Sequence, residues 1–411
     1  MSRSESLLSG LDQAARFCFF LLIIVLPWTI APMSIAAAAC GALTVPIWVA
    51  RRNREAFRNP VTLPAIGWMA ALILSAVFAL NPTASLSRLE KGLLPALTAL
   101  GAGHAANPGR ARRALGLLLG SASVAWGYGL ARFVAHGASF AARARGPVGH
   151  YMTFAGQIGL MSSIALGIAL TGRGRWRFAA ATVAGLGGVA LAATYTRSAW
   201  LGMLAALAAM LALGRPRWVA VLLAAAVAVY VLAPGAYRAR LHSMFDPHHP
   251  ANLERTYMWD AGIRMFRDHP LTGVGLEDLK PVYDRYRPPQ AHERAGHLHS
   301  VPVQIAATMG VPGLVAFVLL YAGLVRCAAS GLLGMLRRLR SPAAAGEPTE
   351  TERLAAGVRL GMLGALVGFL VAGLFEWNFG DEELLYPLYL FAGVAWAARG
   401  WSRDAGPGSE R

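Results

Sequence analysis

An all-helical, polytopic membrane protein of about twelve spans, interrupted by one long extramembrane segment, is the fold class the sequence predicts, on three observations. Of 411 residues, 56% are hydrophobic and only 14% charged, whereas a water-soluble chain carries about 25% charged residues to wet its surface. The apolar residues come in blocks of the length that crosses a bilayer, about 20 residues per helix. Arginines cluster in alternate breaks between those blocks, the arrangement that short cytoplasmic loops favour. Mean hydropathy is +0.47 despite a formal charge of +17. That combination excludes a disordered tail, a collagen-like fibre and a disulfide scaffold, and it argues against a soluble enzyme. No nucleic-acid partner is expected.

The polar stretch 1–16 leads into an apolar run from Phe17 past Trp28 that lacks a small-x-small cleavage site, so an uncleaved first span is expected. Apolar blocks then follow at 33–50, 62–80, 91–106, 114–135, 151–171, 178–195, 198–214, 218–234, 301–326, 358–376 and 385–400, the first being 15–32. Pro27, Pro32, Pro46 and Pro95 lie in or beside spans, where neighbouring helices can satisfy a freed carbonyl. Glycine and alanine, as in Gly185-Leu186-Gly187-Gly188, allow the close backbone approach that helix packing in lipid requires. Cys18, Cys40 and Cys327 sit in or at the ends of apolar blocks and read as small buried hydrophobes. Three parts result: spans at 1–234, an external segment at 235–300, and the last spans with a basic tail at 301–411.

Arg51, Arg52 and Arg54, then Arg110, Arg112 and Arg113, then Arg173, Arg175 and Arg177, then Arg215 and Arg217, then Arg337, Arg338 and Arg340 all fall in alternate breaks. Those breaks are assigned to the cytoplasm, and an even number of spans puts both termini there. Two external breaks are basic nonetheless. Segment 136–150 carries Arg143 and Arg145, and 235–300 carries Arg238, Arg240, Arg255, Arg264, Arg267, Lys280, Arg285, Arg287 and Arg294. Of ten histidines, only His104 lies outside 136–299. Cations and imidazoles gathered on one face point to an anionic substrate handled there.

Within the external segment, 252–266 has a helical look, with Asn252 suited to cap it and Glu254 to its positive first turn. Arg255 and Trp259 are four apart and share a face, while Arg264 lies nine residues from Arg255, about half a turn round. His269-Pro270-Leu271-Thr272-Gly273-Val274-Gly275 ends that helix. Its Gly-x-Gly has neither a preceding strand nor a third glycine and fits a dinucleotide site poorly. His297 and His299 stand just before a long span, where the positive end of a helix disfavours a charged imidazole and leaves it available as a base. An interfacial pair bonded to headgroups is the plainer alternative, and a zinc site lacks a convincing third ligand. Arg197, in Thr194-Tyr195-Thr196-Arg197-Ser198-Ala199-Trp200-Leu201, has almost no loop to carry it into water. An arginine at membrane depth either faces a polar cavity or snorkels to headgroups.

Thr196-Arg197-Ser198-Ala199-Trp200-Leu201, the Arg255-x-x-x-Trp259 helix leading to His269-Pro270-Leu271-Thr272-Gly273-Val274-Gly275, and His299 ahead of Gly310-Val311-Pro312-Gly313 together resemble the O-antigen ligase family, over about 190–320. The family shares a superfamily with O-antigen polymerases. The resemblance implies a GT-C-type membrane glycosyltransferase with a large periplasmic loop containing short helices. Such an enzyme moves O-antigen from undecaprenyl pyrophosphate to lipid A-core at the periplasmic face of the inner membrane. It also implies catalytic roles for Arg197, Arg255 and His299. Family members usually show His-Asn where this chain has His299-Ser300, a change that touches the orientation of the imidazole.

A pyrophosphate leaving group calls for permanent positive charge, which arginine supplies in a bidentate fork, and a sugar hydroxyl benefits from a base. Arg143, Arg145, Arg264, His297, His150 and Tyr151 are further substrate-binding candidates. Tyr151 also suits an interfacial aromatic belt. The histidines of 242–249 read as ordinary loop residues. Glu376 and Asp381-Glu382-Glu383 are weighed as a metal-based alternative and read instead as a solvated external turn, because arginines can take over a metal's electrostatic role. The expected reaction is a metal-independent, cofactor-free inversion by a monomer surrounded by membrane lipids. O-antigen polymerase and a lipid-linked glycan transporter are the competing readings. The compact loop with a single His-x-His favours ligase over polymerase.

Overall fold

The computed structural model describes residues 3–341 and 346–401, so the basic tail beyond Trp401 lies outside the described residues. In chain order its helices are α1 (Arg3–Val25), α2 (Ile30–Ala50), α3 (Thr62–Val77), α4 (Pro82–Leu86), α5 (Leu97–His104), α6 (Pro108–Ala135), α7 (Tyr151–Thr171), α8 (Gly174–Ala193), α9 (Arg197–Gly214), α10 (Arg217–Leu232), α11 (Gly235–His242), α12 (Pro250–Asp268), α13 (Lys280–Tyr286), α14 (Val301–Ala329), α15 (Leu332–Arg340), α16 (Glu350–Gly373) and α17 (Glu382–Ala397). No strand occurs among the described residues. Among the described residues, eight helices are long and apolar enough to cross a membrane, or nine if the bent α10–α11 pair is one span.

Each of the twelve expected segments is helical, but twelve is reached only by including three shorter pieces. Helices α3 and α17 have 16 residues each, and the expected span at 91–106 is a 3-10 stretch, Leu89–Ala96, running into the eight-residue α5. Pro95 lies inside that stretch. It has no amide proton to donate, and its ring opposes a regular α-helical turn there.

Helix α16 is the axis of the bundle, packed against α7 on one side and α9 on the other. Small residues make this possible. A Cβ on Gly202 of α9 would lie 2.6 Å from the carbonyl oxygen of Gly368 in α16, and one on Gly361 would lie 2.6 Å from Cα of Ile164 in α7. In lipid the backbones gain van der Waals contact by closing that gap, since there is no hydrophobic drive between apolar helices. At the N-terminal end of α16 the basic breaks converge. Arg112 bonds Thr351 at 3.0 Å, Arg338 pairs with Glu352 at 3.1 Å, and Arg173 pairs with Glu347 at 3.0 Å. Breaks that the sequence assigns to one face therefore do meet at one end of the bundle.

Two of the sequence motifs prove to be one structural device. Helix α14 breaks at Gly310, whose φ of 64° and ψ of −160° belong to a region that glycine alone occupies readily. Pro312 then withholds the amide that Thr308 would normally receive. The freed carbonyls of Ala307 and Thr308 are taken by the amides of Val274 (2.9 Å) and Gly275 (3.2 Å), and the Ser75 hydroxyl also donates to Thr308 (2.7 Å). In return the amide of Val311 bonds the carbonyl of Pro270 at 2.8 Å. The 269–275 turn thus plugs the break in α14, with Gly273 and Gly275 both at positive φ to make the approach. It binds the polar segment to the bundle.

Candidate functional site

At the end of the bundle opposite the N-terminus of α16, a cavity of about 730 Å³ opens. It lies where α7, α9, α14 and α17 begin and α16 has just ended. Arg197, Arg255, His299, Arg143, His297, His150 and Tyr151 all line it. Two sequence candidates do not. Arg145 is exposed outside it, and Arg264 pairs with Asp260 at 2.6 Å on the far side of α12. The helical period is the reason for the second correction, since one helix cannot aim residues nine apart into the same hollow.

Arg197 is the first residue of α9 and only 6% exposed. It does not snorkel. Its Nη1 donates to the Ser243 carbonyl (2.7 Å) and Oγ (3.0 Å), and its Nη2 donates to Asn252 Oδ1 (2.8 Å). Asn252 is accordingly not the cap of α12, which starts at Pro250 behind His249. Its amide is fixed instead by the carbonyls of Ser243 (2.9 Å) and Asp246 (2.7 Å), which turns its oxygen onto Arg197. These partners are all neutral. They orient the guanidinium without cancelling its charge, which leaves that charge for an anion.

Arg255 reaches Glu376 Oε2 at 3.7 Å, and His299 Nδ1 lies 3.0 and 3.1 Å from the two oxygens of the same carboxylate. Glu376 is thus no solvated turn: its side chain is 13% exposed. Burial alone would raise its carboxyl, but the hydrogen bond from His299 and the charges of His299, His297 and Arg255 outweigh it and hold the group below the usual carboxylate range. The His297 ring packs edge-on to His299 at 4.2 Å. Burial, with the neighbouring His299, pushes His297 down to about 4. Ser300 makes no side-chain cap to α14, and the imidazole of His299 is oriented by Glu376.

Backbone strain marks the same places. Tyr195 (φ 52°) and His299 (φ 46°) are left-handed non-glycine residues, each two positions before a helix begins. Tyr195 is held there by stacking on Tyr237 at 4.5 Å, and its carbonyl accepts from Arg240 at 3.3 Å. The strained turns let α9 and α14 start with Arg197 and His299 facing the hollow.

Opposite these, Arg143 lies between the rings of Phe140 (3.9 Å) and Tyr151 (4.2 Å), so Tyr151 serves as a cation–π face in the cavity. His150 is pushed below the ordinary imidazole value, by burial first and then by Arg145, His299 and Arg143. Glu254 accepts the amides of His292 (3.0 Å) and Glu293 (3.2 Å) and so ties the loop to α12. Asp381 accepts from the Thr153 hydroxyl at 3.1 Å, and burial pushes it up to about 7.

Sequence reasoning did not single out Arg240 and His249 and read Glu376 and Asp381 as a solvated turn, yet all four line the cavity. His249 reads in the sequence as one of the ordinary loop histidines, and the scarcity of acids near the external spans is the signal that favours a role for Glu376. His297, His299 and Glu376 also bring ligand atoms within 4.8 Å of one another, a set that could hold a metal ion. Glu376 thus supplies the third ligand that the sequence lacked.

A helical membrane protein with an arginine- and imidazole-lined cavity at one end of its bundle is the class that fold and site define. Residues 180–318 match the family model described as O-antigen ligase, the family that the motifs resemble. The matched stretch supplies Arg197, Arg240, Arg255, His297 and His299, whereas Arg143, His150, Glu376 and Asp381 come from outside it. A comparison with curated proteins gave no match.

Proposed function

We propose that the chain transfers an O-antigen glycan from undecaprenyl pyrophosphate to a sugar hydroxyl of lipid A-core, at the periplasmic face of the inner membrane. The observation that carries this reading is the convergence of Arg197, Arg255 and His299 on one hollow, with Glu376 behind the imidazole.

Glu376 accepts from Nδ1 of His299, which assigns the proton to that nitrogen and leaves the Nε2 lone pair free. Nε2 takes the proton of the acceptor hydroxyl as its oxygen attacks the anomeric carbon. The bond from that carbon to the diphosphate oxygen breaks, and a single displacement inverts the centre. The leaving diphosphate collects negative charge, which Arg197 and Arg255 neutralise, with Arg143 and Arg240 at the wall. These donors are fixed before reaction, which is what makes such stabilisation effective. The imidazolium formed is held by the Glu376 carboxylate.

A second hollow of about 270 Å³ shares His297 and Trp377 with the first and is lined by Trp68, Tyr389, Arg88 and Lys91. It supports the approach of donor and acceptor to the imidazoles from two sides. A transporter would need a relay of ionisable groups through the spans. His104, the one histidine outside 136–299, is instead bonded to Thr44 at 2.9 Å and stacked on Phe19, and so has a packing role.

The test uses purified protein, polyprenyl-pyrophosphate glycan and lipid A-core, with the product sized on a gel. One glycan block added to each core supports the proposal. Lengthening of the donor itself would replace it with a polymerase, and no transfer at all would refute both.

A further inference from the structure

At the other, arginine-rich end of the bundle lies a cavity of about 540 Å³ that the transfer reaction does not use. Glu55 and Arg58 from the α2–α3 connection, Ser330 and Gly331 between α14 and α15, Met335, Arg359 of α16, and Trp396 and Arg399 at the end of α17 line it. Arg359 stands 17 residues before Glu376, which along a helix is about 25 Å from the outer cavity.

Arg359 is 1% exposed, yet it has no carboxylate within ion-pair distance among the described residues. Its Nη2 donates to the Ser330 carbonyl, its Nη1 faces the Met335 thioether at 2.8 Å, and its Nε has no partner. A thioether is a weak acceptor, and a guanidinium does not lose its proton. A permanent charge in an apolar helix with only these partners is expensive unless an anion completes it. The cavity supplies the way in. Arg58 stands at its rim, its side chain 71% exposed and paired with the similarly exposed Glu55 at 2.6 Å. Arg399 stacks on Trp396 at 3.7 Å. The Arg359 and Arg58 guanidinium groups, around an open hollow beside an indole, suit a tetrahedral oxyanion bound bidentately.

We propose that this cavity is a second anion site, taking a phosphate group at the basic face of the bundle, either from a phospholipid headgroup or as free phosphate. It is independent of the transfer reaction. The inner phosphate neutralises Arg359 and joins the α2–α3 connection, the α14–α15 turn and the end of α17.

The experiment follows thermal unfolding of the full chain in phospholipid-free detergent, with inorganic phosphate, dioctanoyl phosphatidylglycerol or dioctanoylglycerol added. Both phosphate probes, or the lipid one alone if the source is a headgroup, should raise the midpoint saturably, while dioctanoylglycerol should not. Arg58→Gln and Arg359→Met should each raise the half-saturating concentration about tenfold or more. Arg255→Gln should keep this response, which separates it from phosphate bound in the outer cavity. If Arg359→Met does not fold, Arg58→Gln decides alone, because its side chain is exposed. No phosphate response in the native chain, or an undiminished one in Arg58→Gln, overturns the proposal.

Discussion

Glu376 holds His299 through both carboxylate oxygens, at 3.0 and 3.1 Å from Nδ1, although 77 residues separate the two. The same carboxylate lies 3.7 Å from Arg255, so one largely covered acid aligns both the imidazole and the guanidinium. Glu376→Gln keeps the shape but removes the charge that orients the imidazole and stabilises its protonated form. The expected result is a fall in kcat of roughly ten- to a hundredfold with KM little changed, measured as glycan transfer under saturating donor. A native rate in that variant would remove Glu376 from the reaction.

Arg197→Lys retains a charge but loses the planar fork. Transfer should drop by roughly a hundredfold, because removing one preorganised donor costs on that order. The lysine variant is the informative one, since its activity separates bidentate geometry from mere positive charge.

Asn252 does not reach the substrate directly in this reading, yet it aims Arg197 from 2.8 Å. Asn252→Ala deletes one hydrogen bond to a charged group, worth about 1.5–3 kcal/mol. It should weaken donor binding by about tenfold or more, read as a rise in donor KM. A change in kcat alone would point to a different role for this residue.

The partly buried Asp381 gives the fold a pH dependence. Its folded value is raised to about 7 from an ordinary 3.8. Between those values the folded chain holds a proton that the unfolded chain has released, so this group's contribution falls as pH rises through the window and levels off above about 7. Glu376 runs the other way: held below the ordinary range, its contribution is present at neutral pH and is lost as pH falls through its folded value. In Asp381→Asn the decline in thermal midpoint between pH 5 and 7, in matched detergent, should flatten. An unchanged slope would assign that decline to other groups.

The catalytic reading places its positive charge on arginines, so transfer should survive a strong chelator. Activity abolished by chelation and restored by a divalent ion would instead favour the His297, His299 and Glu376 cluster as a metal centre.

Much of this protein is written in one dimension. Long apolar blocks report helices because no other element satisfies its own backbone inside lipid, and the alternation of basic breaks reports which helix ends lie together. Arg197 and His299 stand out for the same reason: a charged or imidazole side chain at the mouth of an apolar run is costly to put there without a use. Where a helix period relates two residues, as with Arg255 and Arg264, the sequence also tells which of them cannot share a site with the other.

Only the tertiary structure decided what lies across from them. Glu376 looked like a wetted turn because burial is a property of neighbours far along the chain, and nothing local announces that α16 ends against the start of α14. Asn252 looked like a cap because capping is read from the next three residues, whereas its real partner is 55 positions away. The 269–275 turn and Gly310 became one device only when the carbonyls freed by the break at Gly310 and by Pro312 met the amides of Val274 and Gly275. Periodicity and hydropathy record a residue's relation to solvent and to its own helix. Hydrogen bonds and ion pairs between distant segments depend on how the helices pack, and packing is settled by the whole chain at once.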